Sequence, residues 1–310
     1  MGRTWEVFLV FLRLGLTSFG GPIAHIGYFR DEFVSRRHWL SERSYADLVA
    51  LCQFLPGPAS SQVGMALGLS RSGYAGAFAA WVGFTLPSAL LLILLAMGLA
   101  NHGGNVPPGV LHGLKVVAMA VVAHAIWGMA RTLCPDLPRI LIMAIAACAA
   151  LFLPSTGGQL AIITIAGLVG LSILRPSLVH SHDAFPVPIS RRVGTAWLTL
   201  FFVLLFTLPL LARLTSSLAL TQAGTFFHTG ALVFGGGHVV LPLLQTAVVS
   251  AGWVDGDTFL AGYGATQAIP GPLFTFAAFL GASMKIGPSG WTGGLICLGA
   301  IFAPSFLLMA

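Results

Sequence analysis

Charge is what this chain has least of. Of its 310 residues only 8% are Asp, Glu, Lys or Arg, and only nine of them are acidic. A soluble domain carries about 25% charged residues. So few charges cannot cover the surface of a soluble protein of this length. Disorder is excluded too, because 56% of the residues are hydrophobic and the mean hydropathy is +0.90. The ten-residue alternation of a transmembrane β-barrel is also missing. What remains is an all-α polytopic membrane protein, its spans helical because helices satisfy their own backbone groups in lipid.

Cysteine is scarce as well. Cys52, Cys134, Cys148 and Cys297 form no C-x-x-C pair, so neither a zinc site nor a disulfide framework is expected, and no cofactor. The first residues lack the myristoylation pattern, Arg13 interrupts the first apolar run, and no small-residue cleavage site follows. That run reads as a retained segment and not as a signal peptide. The net charge of +6 does not point to nucleic acid. Arg30, Arg36, Arg37 and Arg43 share one loop and Arg175, Arg191 and Arg192 another, which is the clustering that the positive-inside rule produces.

Apolar runs cover residues 5–19, 45–55, 59–69, 74–100, 110–129, 140–153 and 160–174, then 193–212, 226–234, 239–251, 259–269, 273–284 and 291–310. Several fall short of the roughly 20 residues needed to span a bilayer. The short ones come in pairs, each divided by glycine and proline. Residues 175–192 form a polar linker with three prolines; its His180 and His182 belong to no larger ligand set.

Four markers occur twice in the same order. Phe19-Gly20-Gly21-Pro22 returns as Phe234-Gly235-Gly236-Gly237, and the Pro56-Gly57-Pro58 run after Gln53 returns as Pro270-Gly271-Pro272 after Gln267. Trp39 and Trp253 each lie 17 residues before the following Pro-Gly-Pro, and Leu86-Pro87-Ser88 returns as Ala303-Pro304-Ser305. Residues 1–174 thus read as a first repeat and 175–192 as a cytoplasmic linker. Residues 193–220 read as a connecting transmembrane helix, and 221–310 as a second, incomplete repeat. The loop before Tyr45 carries four arginines, whereas its counterpart before Phe259 carries Asp255 and Asp257 and no cation. The repeats are therefore expected to be inverted, with broken or re-entrant helices, as in secondary transporters.

Backbone exposed by a helix break inside lipid is tolerated only where it lines a cavity or is buried in protein. Pro58 suits a first helical position. The N–H groups of Ala59, Ser60, Ser61 and Gln62 would then point into the break, with about half a positive charge behind them. Leu273, Phe274 and Thr275 offer the same in the second copy, and the glycine pairs before Ile23 and His238 could supply two more. Glycine and proline that merely kink helices for packing explain one break, but not four related ones. Among ionisable residues in apolar runs, Arg13 and Lys115 are candidates to meet an anion. Lys115 could equally snorkel to the interface, and His124 suits a packing role. Glu6 and Asp47 are the only carboxylates near membrane segments. Basic and neutral polar groups at the breaks favour an anion over a proton relay.

The FGGP motif followed by His25, the QFLPGP of residues 53–58 with Gln62, and the FGGG and AIPGP motifs of the second half resemble the chromate ion transporter family over nearly the whole chain. The resemblance implies a multi-pass carrier of the plasma (cell inner) membrane that expels chromate, for which sulfate is a structural analogue. It also implies two homologous domains of opposite orientation. The binding residues expected from breaks and motifs together are Arg13, Gly20, Gly21, His25, Gln53, Gly57, Ser60, Ser61, Gln62, Lys115, Gly235, Gly236, His238, Gln267, Gly271 and Thr275. The partners expected are the oxyanion and the lipid bilayer; a homodimer is compatible, and nucleic acid is not expected. Counterparts of the spans at 110–174 do not follow Pro304, so the chain reads as a shortened member. An anion channel and a partner-dependent fragment without transport of its own are the alternatives. An intramembrane enzyme built on Ser60, Ser61 and His124 lacks any G-x-S-x-G or H-E-x-x-H motif.

Overall fold

A computed structural model describes residues 2–102, 134–153, 156–174, 190–233 and 240–310, with isolated positions between 109 and 131. Among the described residues every regular element is helical. The chain divides into two compact units, residues 1–118 with 182–310, and residues 119–181.

The larger unit begins with α1 (Arg3–Thr17) and α2 (Gly21–Arg30), followed by a π-helical turn (Asp31–Arg36) and α3 (Glu42–Phe54). Then comes α4 (Ala59–His102), which loses helical geometry at Ser72 and Gly73, in the gap between the apolar runs 59–69 and 74–100. The smaller unit holds α5 (Leu137–Phe152) and α6 (Thr156–Ile173). The Asp136 side chain caps α5 by accepting from the Arg139 N–H at 3.1 Å, and it also pairs with the Arg139 guanidinium.

The larger unit resumes with α7 (Arg191–Thr215) and α8 (Leu218–Leu232). Ser216 in the left-handed region and the N-cap Ser217 separate them, so α8 starts inside the segment read from sequence as one connecting helix. Next are α9 (Val240–Leu244), a π-helical turn (Gln245–Val249) and α10 (Gly256–Ala268). A 3₁₀ turn (Leu273–Thr275), α11 (Phe276–Ala282) and α12 (Gly290–Met309) complete it. The order helix, short helix, π turn, helix, break, helix thus occurs twice, once from α1 and once from α8.

Helices 59–100, 191–215 and 290–309 are long and apolar enough to cross a membrane. Lipid is as apolar as leucine, so helix association there depends on close packing and not on expulsion of water. Small residues provide it. A Cβ on Gly68 would overlap the Gly76 carbonyl, closing the hairpin inside α4, and one on Gly281 would overlap the Gly293 carbonyl between α11 and α12. Around α1, α3 and α4 the buried rings of Phe11, Phe29, Phe33, Tyr45 and Phe84 form one core, with Phe29 edge-on to Phe84 at 5.1 Å. A smaller cluster of Phe201, Phe227, Ala231 and Leu307 joins α7, α8 and α12.

Candidate functional site: crossed helix breaks

Three of the four breaks expected from sequence lie within the described residues. At the first, α1 ends at Thr17, Ser18 is extended, and Gly20 and Gly21, the N-cap and first residue of α2, take φ of +96° and +75°. At the second, Leu55 is extended and Gly57 has φ +122°. At the fourth, Ile269 is extended and Gly271 has φ +121°. Glycine is required at Gly57 and Gly271, because side-chain-bearing residues are excluded from that region. The third break, with Gly235, Gly236, Gly237 and His238, lies outside the described residues, as do Lys115, His124, His180 and His182.

The two Pro-Gly-Pro breaks are each seated on the other half of the chain, in the same way. The Gly57 N–H donates to the Val233 carbonyl at 2.7 Å, one residue before the FGGG motif. The Gly271 N–H donates to the Ser18 carbonyl at 3.1 Å, one residue before FGGP. A Cβ on Gly57 would overlap the Ser305 hydroxyl, and one on Gly271 would stand 2.6 Å from the Ser88 hydroxyl. Ser88 and Ser305 are the serines of the repeated Pro-Ser pair. They served in the sequence only as markers of internal similarity, and their place against the glycines has no local signal.

At the second break the structure corrects the expected set of free donors. Pro58 precedes the first helical position, and its carbonyl accepts the Gln62 N–H at 2.9 Å. The N–H groups of this helix start that lack an acceptor within the helix are therefore those of Ala59, Ser60 and Ser61. The Gln62 side chain is fully buried; its Nε2 donates to the Pro56 carbonyl at 2.8 Å and lies 3.5 Å from Ser305 Oγ, which pins the break. At the fourth break both the N–H and the hydroxyl of Thr275 donate to the Pro272 carbonyl, at 3.0 and 2.7 Å. Its donors are engaged, where the sequence suggested they were free.

His25 is fully buried on α2. Its Nε2 lies 3.2 Å from the Ser18 carbonyl, the same oxygen that accepts from Gly271. Its ring meets Phe84 edge-on at 5.1 Å. Several buried side-chain atoms near the breaks have no hydrogen-bond partner among the described residues: Ser18 Oγ, His25 Nδ1, Ser61 Oγ, Gln62 Oε1 and Thr85 Oγ1. Gln267 Nε2 is likewise without one, and Ser60 is buried while Gln53 is exposed. Unpaired buried polar groups are few in native proteins, because each one costs stability; several of those here lie on or near the breaks, while Trp81 Nε1, Gln222 Oε1 and Ser283 Oγ lie elsewhere. Ser18 and Thr85 carry no motif and escaped the sequence reading.

Arg13 lies elsewhere. It lines a cavity with Thr17, Tyr28, Asp31, Glu32, Ser35 and Arg36. Glu32, buried on the π turn, accepts from Arg37 at 2.7 Å and Arg36 at 3.3 Å, and Arg37 also reaches Glu6 at 3.1 Å. Burial pushes the Glu32 carboxyl up, but the hydrogen bonds from Arg37 and Arg36 outweigh it and hold the group below its ordinary value. Arg30 pairs with Glu42 at 2.5 Å, and Arg71 stacks on Trp39 at 4.6 Å. The loop arginines, read from sequence as topology signals, also tie this end of the molecule together.

An all-helical membrane chain with two halves of the same element order, each half's break seated on the other, has the build of a polytopic membrane transporter. The chain belongs to the chromate transporter family, whose model matches residues 5–171 and 220–310. It is 28% identical to an uncharacterized transporter of Methanocaldococcus jannaschii over 98% of this chain and 74% of that protein. It is 28% identical to a probable chromate transport protein of Synechococcus elongatus, covering 96% of this chain and 72% of that one. With a chromate transport protein of Pseudomonas aeruginosa the identity is 27%, covering 97% and 70%. No solved structure matches.

Proposed function

We propose that the chain is a secondary active carrier that exports chromate or a sulfate-like oxyanion across the plasma membrane, and that it performs no enzymatic chemistry. The observation that carries this reading is the reciprocal seating of the breaks: Gly57 on Val233 and Ser305, Gly271 on Ser18 and Ser88. An oxyanion leaving water needs oriented donors to replace its hydration. The N–H groups of Ala59, Ser60 and Ser61 and the buried hydroxyls of Ser18, Ser61 and Thr85 supply donors with no fixed cation among them. Such a set binds the ion yet lets it go.

Reciprocity of this kind is compatible with two copies of opposite orientation, and the unequal charge of the equivalent loops favours that arrangement. The loop bearing Arg36 and Arg37 and the linker end at Arg191 and Arg192 then face the cytoplasm, and the loop bearing Asp255 faces outward. Alternating access would arise from the two halves rocking about the crossed breaks.

Purified protein is expected to gain thermal stability from chromate and from sulfate, as any ligand of the folded state provides. Ser18→Ala and Ser61→Ala should each weaken binding by about 1 kcal/mol. Equal protection by chloride, or protection undiminished in the double variant, would contradict the site.

A further inference from the structure

We propose that His25 is a proton-binding residue whose protonation is coupled to oxyanion binding, so that the ion and one proton occupy the site together. The inference rests on the oxyanion reading above. A carbonyl has no proton to give, so the contact between His25 Nε2 and the Ser18 carbonyl at 3.2 Å places a hydrogen on Nε2. The neutral ring then presents a bare lone pair at Nδ1, which is buried and has no hydrogen-bond partner among the described residues. A lone pair repels an oxyanion. A proton from solvent turns Nδ1 into an N–H donor and places a positive charge one shared carbonyl away from the Gly271 break.

Burying an imidazolium alone is costly, and an adjacent anion offsets that cost. The elements packed against α2 provide no such partner. Among the described side chains their ionisable groups are Arg3, Glu6 and Arg13 on α1, which meets α2 through Phe11 and Phe29, then Asp31, Glu32 and Arg36 on the π turn, Glu42, Arg43, Tyr45, Asp47 and Cys52 on α3, and Arg71 and Tyr74 on α4; α2 itself adds Tyr28 and Arg30. None hydrogen-bonds to Nδ1. Glu32 is held by Arg36 and Arg37, Arg71 lies on Trp39, and Tyr45 donates to the Ile26 carbonyl at 2.6 Å. The proton and the anion are therefore each other's missing partner, and each must raise the affinity for the other by the same factor.

Sulfate is the probe of choice, because it stays fully ionised between about pH 5 and 8, so any proton taken up there is bound by the protein and not by the ion. Calorimetric titration of the full-length protein with sulfate, in buffers of different protonation enthalpy, counts the protons taken up. The expected result is uptake approaching one proton per sulfate, with affinity falling by up to about tenfold per pH unit on the alkaline side. His25→Gln retains an N–H for the Ser18 carbonyl but cannot titrate, and should bind sulfate without proton uptake and with a flat pH profile. Wild-type binding without proton uptake at any pH, or wild-type uptake persisting in His25→Gln, would overturn the inference. If the variant does not fold, the wild-type proton count alone decides. Failure of sulfate to bind at every pH overturns the oxyanion reading itself, and the proton linkage with it.

Discussion

Gly57 and Gly271 are the residues on which most depends. Each takes a backbone conformation that only glycine holds without strain, and each leaves no room for a Cβ beside a serine of the other repeat. Gly57→Ala is expected to cost about 1–3 kcal/mol in unfolding experiments in detergent. Adding Ser305→Ala should return the part of that loss due to overlap and leave the part due to backbone strain. Thr275→Val is expected to lower stability while leaving sulfate affinity near wild type, since its hydroxyl is spent on the Pro272 carbonyl. The glycines and prolines of the breaks were legible in the sequence, because few other residues tolerate such backbone. Ser88, Ser305 and Val233 were not legible as their partners, since nothing in a linear pattern says which distant elements touch. Arg13 shows the same limit: a cation in an apolar run stands out, but the side it faces, toward Glu32, is fixed by packing.

Among the elements, the Ala59–His102 helix contrasts two kinds of glycine. Gly68 and Gly76 press backbone to backbone across the kink, whereas a Cβ on Gly98 meets nothing within 4 Å. Gly68→Ala should therefore destabilise by about 1–3 kcal/mol through forced separation. Gly98→Ala should be neutral or stabilising, by up to about 1 kcal/mol, because alanine is the better helix former. Thermal unfolding of the two variants side by side checks both. The π turn gives a pH-dependent prediction. The folded Glu32 carboxyl lies below its ordinary value of 4.5, so its stabilisation is fully present above the unfolded value. It is lost as pH falls through the lowered folded value. Wild type should thus be more stable than Glu32→Gln at neutral pH, and the difference should close in acid below the ordinary carboxylate range. Hydrophobic length and glycine-proline punctuation made most of the helices visible in advance, and the kink at Ser72–Gly73 falls in the gap between the runs 59–69 and 74–100, but α2 lies in none of the apolar runs. The boundary at Ser216 and Ser217 was missed, because residues 193–220 read as one connecting helix although Arg213, Thr215, Ser216 and Ser217 follow the apolar run that ends at 212.

For the whole molecule, the account requires two halves of opposite orientation around one oxyanion site. Cysteines introduced at Ser35 and Gly256 should label from opposite faces of intact cells, and labelling from one face would refute the inversion. The most direct test of the central claim is chromate flux into everted membrane vesicles containing the full chain. The predicted result is saturable, energised accumulation, slowed by sulfate in competition and reduced in the Ser18→Ala/Ser61→Ala variant. Accumulation no faster than in vesicles lacking the protein, or flux indifferent to sulfate, would contradict it.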